Sequence, residues 1–529
     1  MKQGFRLLLT NVKGITRLVY IVKRWRESLM KKCCQYIHEI INRQESQYSR
    51  WEYETAGPQG ETDAGPDQLS GKTIVRFIHV SYETIGGLQQ YITDLDEELL
   101  KRNKDLTLIY LYPTTNPDDT TVRKTAIGKG TLVSVPLNIA PDTNVTQEHT
   151  RSYIFRILRF IITSLHLKEV IFNLVFDELF VRLFITWPVF QELYQRSLNR
   201  MRKIPEAQLT NAVHSITAEH NKTDVAVMHS VDIAVDNETF MNVMHANNIP
   251  VVLMNHGTNR NLGGVSSKTM HPGELHSVVM KKLVTGCDAV AGVTNVGAPL
   301  NVKEKYSSLY DSVNIDFFHP SKADAQAVAE IRRKAGSVFI ILLVARICRS
   351  KGQIDALELA RHIKKAGIKA NILCVGPVYD ISYKQEVDAM IEKYELSQYL
   401  DFTGGMTQET IRNYYAASDV VILPSQSEGL PRTILEAMSM EKPVVAYGVD
   451  GIWEEIVDGK TGYIIPVTRN NNFKAARQLL ALKVIELLKD RNLQQCMGQC
   501  GRTIVAERFT TQALVSRHER FYASVMRTR

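Results

Sequence analysis

From residue 73 onward the chain alternates short apolar runs with longer amphipathic stretches, the pattern of βαβ units. A first series of strands is predicted at TIVRFIHV (73–80), DLTLIYLY (105–112), DVAVMHS (224–230), PVVLMNH (250–256) and AVAGVT (289–294). A second series follows at VFIILLVAR (338–346), ANILCVG (370–376), LDFTG (400–404), DVVILPS (419–425), PVVAYG (443–448) and GYIIPV (462–467). Helical stretches such as IDALELARHIKK and QETIRNYYAAS fall between them. Runs apolar on both faces suit parallel sheets covered by helices, so the pattern predicts an α/β protein of two doubly wound, Rossmann-like domains. A polar segment near 316–335 separates them, and the crevice between them is the expected ligand site. The expected limits are 73–320 for the first domain and 335–505 for the second, with a helix over 506–529 after them. Residues 113–223 fit least well and read as a divergent helical part, apolar and basic together over 151–204.

Residues 1–53 follow a different rule. Apolar positions such as Leu7, Leu8, Ile15, Leu18, Val22 and Trp25 are interleaved with Arg6, Lys13 and Arg17, which interrupt any run long enough to span a bilayer. Residues 1–50 carry eleven Lys/Arg against three Asp/Glu, a surplus as large as the +8 of the whole 529-residue chain. The body is therefore electrically balanced, which argues against a nucleic-acid partner. The basic extension suits an amphipathic helix on an anionic membrane surface or one packed on the body. A secretory signal is not expected, because the apolar stretch is broken and no small-residue cleavage site follows. The expected location is therefore cytoplasmic, peripheral on a membrane face. Residues 54–72, rich in Gly, Pro, Asp and Glu, read as a linker. Overall composition, with 44% hydrophobic and 23% charged residues, is that of a globular chain. Seven scattered cysteines without paired CxxC units give neither a disulfide framework nor a zinc site.

Candidate chemistry concentrates in DVVILPSQSEGLPRTILEAMSMEKPVVAYG. On one helix Glu428 and Glu436 would lie about 80° apart and about 12 Å along the axis. Gly429 and Pro431 make that continuity improbable, so Glu428 belongs to a loop after a strand and Glu436 to the first turns of a helix opened by Pro431. Backbone N–H groups of the loop and helix start (Gly429, Leu430, Thr433), with Pro431 shaping the donor-binding turn between them, can hold phosphate, and the two carboxylates can accept from sugar hydroxyls. That layout suits a nucleotide-sugar.

This segment resembles the Glu-x7-Glu signature of family 4 retaining glycosyltransferases, which have the two-domain GT-B fold. The resemblance implies that Glu428 contacts the transferred sugar and Glu436 the ribose. LLVARICRSKG resembles the family's strand followed by Arg-x4-Lys-Gly, so Arg346 and Lys351 would neutralise the departing diphosphate. In the first half, Gly86 and Gly87 resemble the family's glycine loop after its first strand, and NHGT its His-Gly step, so His256 would face the transferred sugar and donor phosphate. SVNIDFFHP (312–320) resembles the interdomain segment, without its glycine. Two further departures stand in the second half: Gly376-Pro377 replaces a Gly-acid-Gly, and Glu441 stands where a glycine is usual.

The resemblance implies a hexosyltransferase that retains anomeric configuration, takes a nucleoside diphosphate sugar as co-substrate and needs neither cofactor nor metal. Its acceptor would be a saccharide or lipid-linked glycan, in surface polysaccharide, lipopolysaccharide or glycoconjugate synthesis. Asp94-Leu95-Asp96 spells the DxD of metal-dependent transferases, but it falls inside a helix and reads as a solvated face. The alternatives are a nucleotide-sugar epimerase or glycan phosphorylase on the same architecture, and a non-catalytic binding subunit that has kept the fold.

Overall fold

The computed structural model describes residues 68–78, 87–114, 122–138, 206–220, 222–229, 237–256, 283–296, 304–336, 339–467 and 473–527. The basic extension, Gly86 and the apolar, basic stretch 151–204 lie outside them.

Eight strands form the first sheet: β1 Thr73–Ile78, β2 Thr107–Thr114, β3 Arg123–Ile127, β4 Gly130–Asn138, β5 Val225–His229, β6 Val251–Asn255, β7 Ala289–Gly292 and β8 Tyr306–Ser308. Their order is β3-β4-β2-β1-β5-β6-β7-β8, parallel throughout except for the β3–β4 hairpin. Helices α1 (Gly87–Arg102), α2 (Glu206–His220) and α3 (Asn237–Ala246) belong to this domain. The second sheet is all parallel, in the order β11-β10-β9-β12-β13-β14. Its strands are β9 Phe339–Val344, β10 Ala370–Val375, β11 Leu400–Gly404, β12 Val420–Leu423, β13 Val444–Tyr447 and β14 Gly462–Ile465. The helices of the second half are α4 (Ala325–Ala335), α5 (Gln353–Lys365), α6 (Ile381–Lys393), α7 (Gln408–Ala417), α8 (Arg432–Ser439), α9 (Ile452–Glu455), α10 (Phe473–Lys489), α11 (Arg491–Arg508) and α12 (Thr511–Arg527).

Strands such as β5 (VAVMH), β6 (VVLMN) and β10 (ANILCV) are buried at every position, which is why they read as unbroken apolar runs. In each sheet the chain starts in the middle and works outward twice. The connections therefore diverge between β1 and β5 in the first sheet, and between β9 and β12 in the second. Loops leaving the carboxyl ends of such a strand pair leave a crevice for ligand.

Two expectations need correction, and a third gains an element. The divergent part is not all helical, because residues 123–138 form the β3–β4 hairpin. Arg123 and Lys124 in β3 are exposed, so this edge strand lacks an apolar signature. The polar separator near 316–335 contains a regular helix, α4, capped by Asp324, whose carboxylate accepts from the N–H groups of Gln326 and Ala327. The linker stops short of 72: Leu69 is fully buried and its N–H donates to Asn103 Oδ1 at 2.9 Å.

The first domain reaches the second along several seams. Residues 309–320 lead across, and Val313 N–H donates to Phe509 O. Helix α12 then returns from the second domain to pack on α1 and β5. Among the described residues no helix is long and apolar enough to cross a membrane.

Candidate functional site

The loops after β9 and β12, the pair at which the second sheet's connections diverge, bring the sequence-predicted residues of that domain together. Lys351 Nζ lies 2.6 Å from Glu428 Oε1, with side chains only 18% and 10% exposed. The two loops interlock. Gln426 N–H donates to Ser350 O at 2.8 Å. Gly352 has φ +72, and a Cβ there would lie 2.2 Å from Pro424 O, so glycine is required at this crossing. Arg346, just past β9, has its guanidinium carbon 4.9 Å from the centre of the Tyr379 ring, and its backbone oxygen accepts from Gln353 Nε2.

The Glu428 loop is held from below. Asp450 Oδ2 accepts from Glu428 N–H at 3.3 Å and from Ser427 Oγ at 3.4 Å, while Gly451 N–H donates to Gly429 O. Leu430 is buried. Pro431 stands at the N-cap of α8, and no side chain bonds the cap there, so the helix start keeps free backbone donors of the kind that hold phosphate. Thr433 Oγ1 donates to Val344 O at 3.1 Å and ties α8 to the end of β9.

Glu436 is 6% exposed and accepts from Tyr415 OH at 2.9 Å. Burial pushes its carboxyl up to about 7, against the pull of Arg432. Arg432 itself was not singled out by the sequence. Its guanidinium reaches Asp94 Oδ2 at 2.7 Å and Asp311 Oδ1 at 3.2 Å, joining the start of α8 to α1 and to the interdomain segment. Glu454 of α9 makes a second join, accepting from Thr294 Oγ1 and from the N–H groups of Asn295 and Val296. Neighbouring Glu455 is fully buried, and neither carboxyl oxygen has a hydrogen-bond partner among the described residues. Burial, with Glu428, Asp311 and Glu454 adding to it, raises this carboxyl well above the ordinary range.

In the first domain Gly87 begins α1, and His256 follows β6. His256 Nε2 is 2.9 Å from Nδ1 of His229, the last residue of β5, and the rings are stacked. Burial and the positive charge of Arg76 push His256 down to about 3. The reading of Asp94 and Asp96 as a solvated face is wrong. Asp94 is paired with Arg432, and Asp96 is buried, bound by Arg76 at 2.5 Å and by Tyr110 OH. The internal charge of β1 was the available signal, since Arg76 inside TIVRFI has to find partners. Among the described residues no group of three or more His, Cys, Asp or Glu is placed to hold a metal ion.

Residues 325–503 match the family described as glycosyl transferases group 1. The chain is 29% identical to an alpha-D-kanosaminyltransferase of Streptomyces kanamyceticus over 200 residues, 37% of this chain and 49% of that protein. It is 26% identical over 195 residues to the capsular polysaccharide biosynthesis glycosyltransferase CapM of Staphylococcus aureus, 36% of this chain and 47% of the other. The chain thus spans about half the length of these curated relatives. Its fold is similar to sucrose-phosphate synthase from Thermosynechococcus elongatus, with a TM-score of 0.60 at 17% identity over 87% of this chain and all of that one. Anabaena HepE, solved with UDP and glucose, gives 0.55 at 14% identity over 86% of this chain and all of the other. These neighbours share the GT-B architecture of two facing Rossmann-like domains.

Proposed function

We propose that this chain is a glycosyltransferase that moves a sugar from a nucleoside diphosphate sugar to a glycan or lipid-linked glycan acceptor, with retention of configuration and without a metal. One observation carries the reading: the Lys351–Glu428 pair where the loops after β9 and β12 meet, beside the uncapped start of α8. A cation, a carboxylate and free helix-terminal N–H groups at one point match a ligand with a diphosphate between two polyols. Arg346 and Lys351 take the charge that develops on the departing diphosphate, which is the main electrostatic demand of an oxocarbenium-like transfer. Glu428 accepts from hydroxyls of the transferred sugar and Glu436 from the ribose. His256 approaches from the first domain. Closure of the two domains would exclude water and favour transfer over hydrolysis. Residues 1–53 place the enzyme on an anionic membrane face, where a lipid-linked acceptor would lie.

The test is nucleoside diphosphate release from UDP-, GDP- and ADP-sugars with EDTA present, comparing the wild type with Glu428→Ala and Lys351→Ala. Release from one donor, lost in both variants, supports site and metal independence together. If no nucleotide-sugar yields release or raises the melting temperature, the reading gives way to a non-catalytic subunit. Vesicle binding is scored separately with residues 1–53 deleted, since Leu69 belongs to the core. Unchanged binding to anionic vesicles would remove the membrane assignment.

A further inference from the structure

Arg76 lies in the middle of β1, fully buried, and its guanidinium is spread over three partners. Nη2 donates to Asp96 Oδ1 at 2.5 Å, and Nη1 lies 2.8 Å from His229 Nε2 and 3.1 Å from Tyr522 OH. A guanidinium has donors only. His229 Nε2 must therefore be bare, and the neutral ring carries its proton on Nδ1. That nitrogen is 2.9 Å from His256 Nε2, so it donates there, and His256 Nε2 is an acceptor whose own proton sits on Nδ1. A second proton on either ring would set two donors against each other. Which nitrogen of a histidine is protonated is decided by what the other one bonds, and here the decision starts at an arginine that cannot lose its charge.

We propose that Arg76 and His229 are positioning residues that lock His256 as the neutral Nδ1–H tautomer, so that it presents a hydrogen-bond donor and cannot act as a base. The proposal rests on the transferase reading only for what the donor is for. There, the Nδ1–H bonds an oxygen of the donor substrate, and His256 takes no proton from the acceptor. Ring contacts fix its plane as well as its proton: His229 stacks on it at 18° with centroids 5.1 Å apart, and Tyr91 meets it edge-on at 4.7 Å. Helix α12 closes the arrangement, with His518 Nε2 2.8 Å from Tyr91 OH. Among the described residues, nothing bonds His256 Nδ1.

The tautomer is read directly in the full-length protein labelled with 15N-histidine, by long-range 1H–15N correlation, with His256 identified from the signals lost in His256→Gln. The expected spectrum has Nδ1 protonated and Nε2 bare, unchanged between about pH 5.5 and 8. An Nε2–H tautomer, or titration in that window, overturns the proposal. His229→Gln keeps an acceptor for Arg76 and a donor for His256, and should retain the signature. His229→Leu should lose it, and a retained signature there also overturns the relay. Should His229→Leu fail to fold, the wild-type spectrum still decides. None of these readings needs a substrate, so failure of the donor panel would leave them standing. Where transfer is observed, kcat should fall about tenfold or more in His229→Leu and recover in His229→Gln. Equal losses in both would mean packing alone and count against the relay.

Discussion

The 2.6 Å pair of Lys351 and Glu428 places two opposite charges where a diphosphate and a sugar would compete for them. On the proposed function a bound diphosphate would draw Lys351 away and leave Glu428 free for sugar hydroxyls, so removing either side should act differently on binding and on turnover. Lys351→Met should weaken nucleoside diphosphate binding and lower kcat by about a hundredfold or more. Glu428→Gln should lower kcat comparably while leaving diphosphate affinity equal or tighter; titration calorimetry beside steady-state rates separates the two, and weaker diphosphate binding in Glu428→Gln would break the argument. Glu436 offers a pH test. Its carboxyl lies at about 7 when folded against an ordinary 4.5, so between those values the native state holds a proton that the unfolded chain has released. Stability contributed by this group is then lost as pH rises from about 4.5 and levels off above about 7. Glu436→Gln removes that dependence. Its melting temperature relative to the wild type should increase between pH 5 and 8, and a constant difference would show that Glu436 is already ionised.

At the scale of elements, helix α8 carries more than its motif. Arg432 joins its first turn to Asp94 on α1 and to Asp311, and burial raises Asp311 to about 6 although Arg432 pulls it down. Removing the guanidinium leaves two shielded carboxylates unpaired, so Arg432→Met should cost about 3–5 kcal/mol at this seam. A loss below about 1 kcal/mol in denaturant titration would mean that solvent already screens the pair. Just beyond α8, Glu441 sits at φ +56, a left-handed conformation that disfavours a side chain. Glu441→Gly should therefore stabilise the protein by about 1 kcal/mol, visible as a higher melting temperature. The strands, and the placing of Glu428 on a loop and Glu436 in the helix after it, were legible because they depend on local apolar runs and on Gly429 and Pro431. The pairings were not, since Arg432 with Asp94 and Arg76 with His229 join positions 338 and 153 residues apart. Asp94 and Asp96 illustrate the limit: helical periodicity put them on one turn, but nothing local said that each would meet an arginine. Of the β3–β4 hairpin, the exposed edge strand β3 has no apolar run to read, whereas Val133, Val135 and Leu137 of β4 alternate as a strand should and were passed over.

Over the whole molecule, the chain's last described helix completes the first domain although it follows the second. Glu519 of α12 is fully buried. It accepts from Asn103 Nδ2 at 2.7 Å and lies 3.5 Å from Arg102 Nη2, at the end of α1. Asn103 in turn accepts from Leu69 N–H, so Asn103 links the segment before β1 to the Glu519 carboxylate of α12. Four residues earlier in the chain and three later, Val515 and Tyr522 are buried too, and Tyr522 OH bonds Arg76 at the start of the relay to His256. Loss of the Glu519 carboxylate should thus loosen α1 and β1 and the seating of His256, while β9 to β14, which pair only with one another, should keep their ladder. Glu519→Leu leaves Asn103 and Arg102 without their buried acceptor and should cost about 3–5 kcal/mol, whereas Glu519→Gln keeps an acceptor for Asn103 and should cost much less. Hydrogen exchange followed by mass spectrometry on the full-length variants locates the effect. Faster exchange confined to 73–78 and 87–102 is expected in Glu519→Leu, with the second sheet unchanged. Equal acceleration in both sheets would mean that the two domains unfold as one cooperative unit, with α12 stabilising both rather than completing the first.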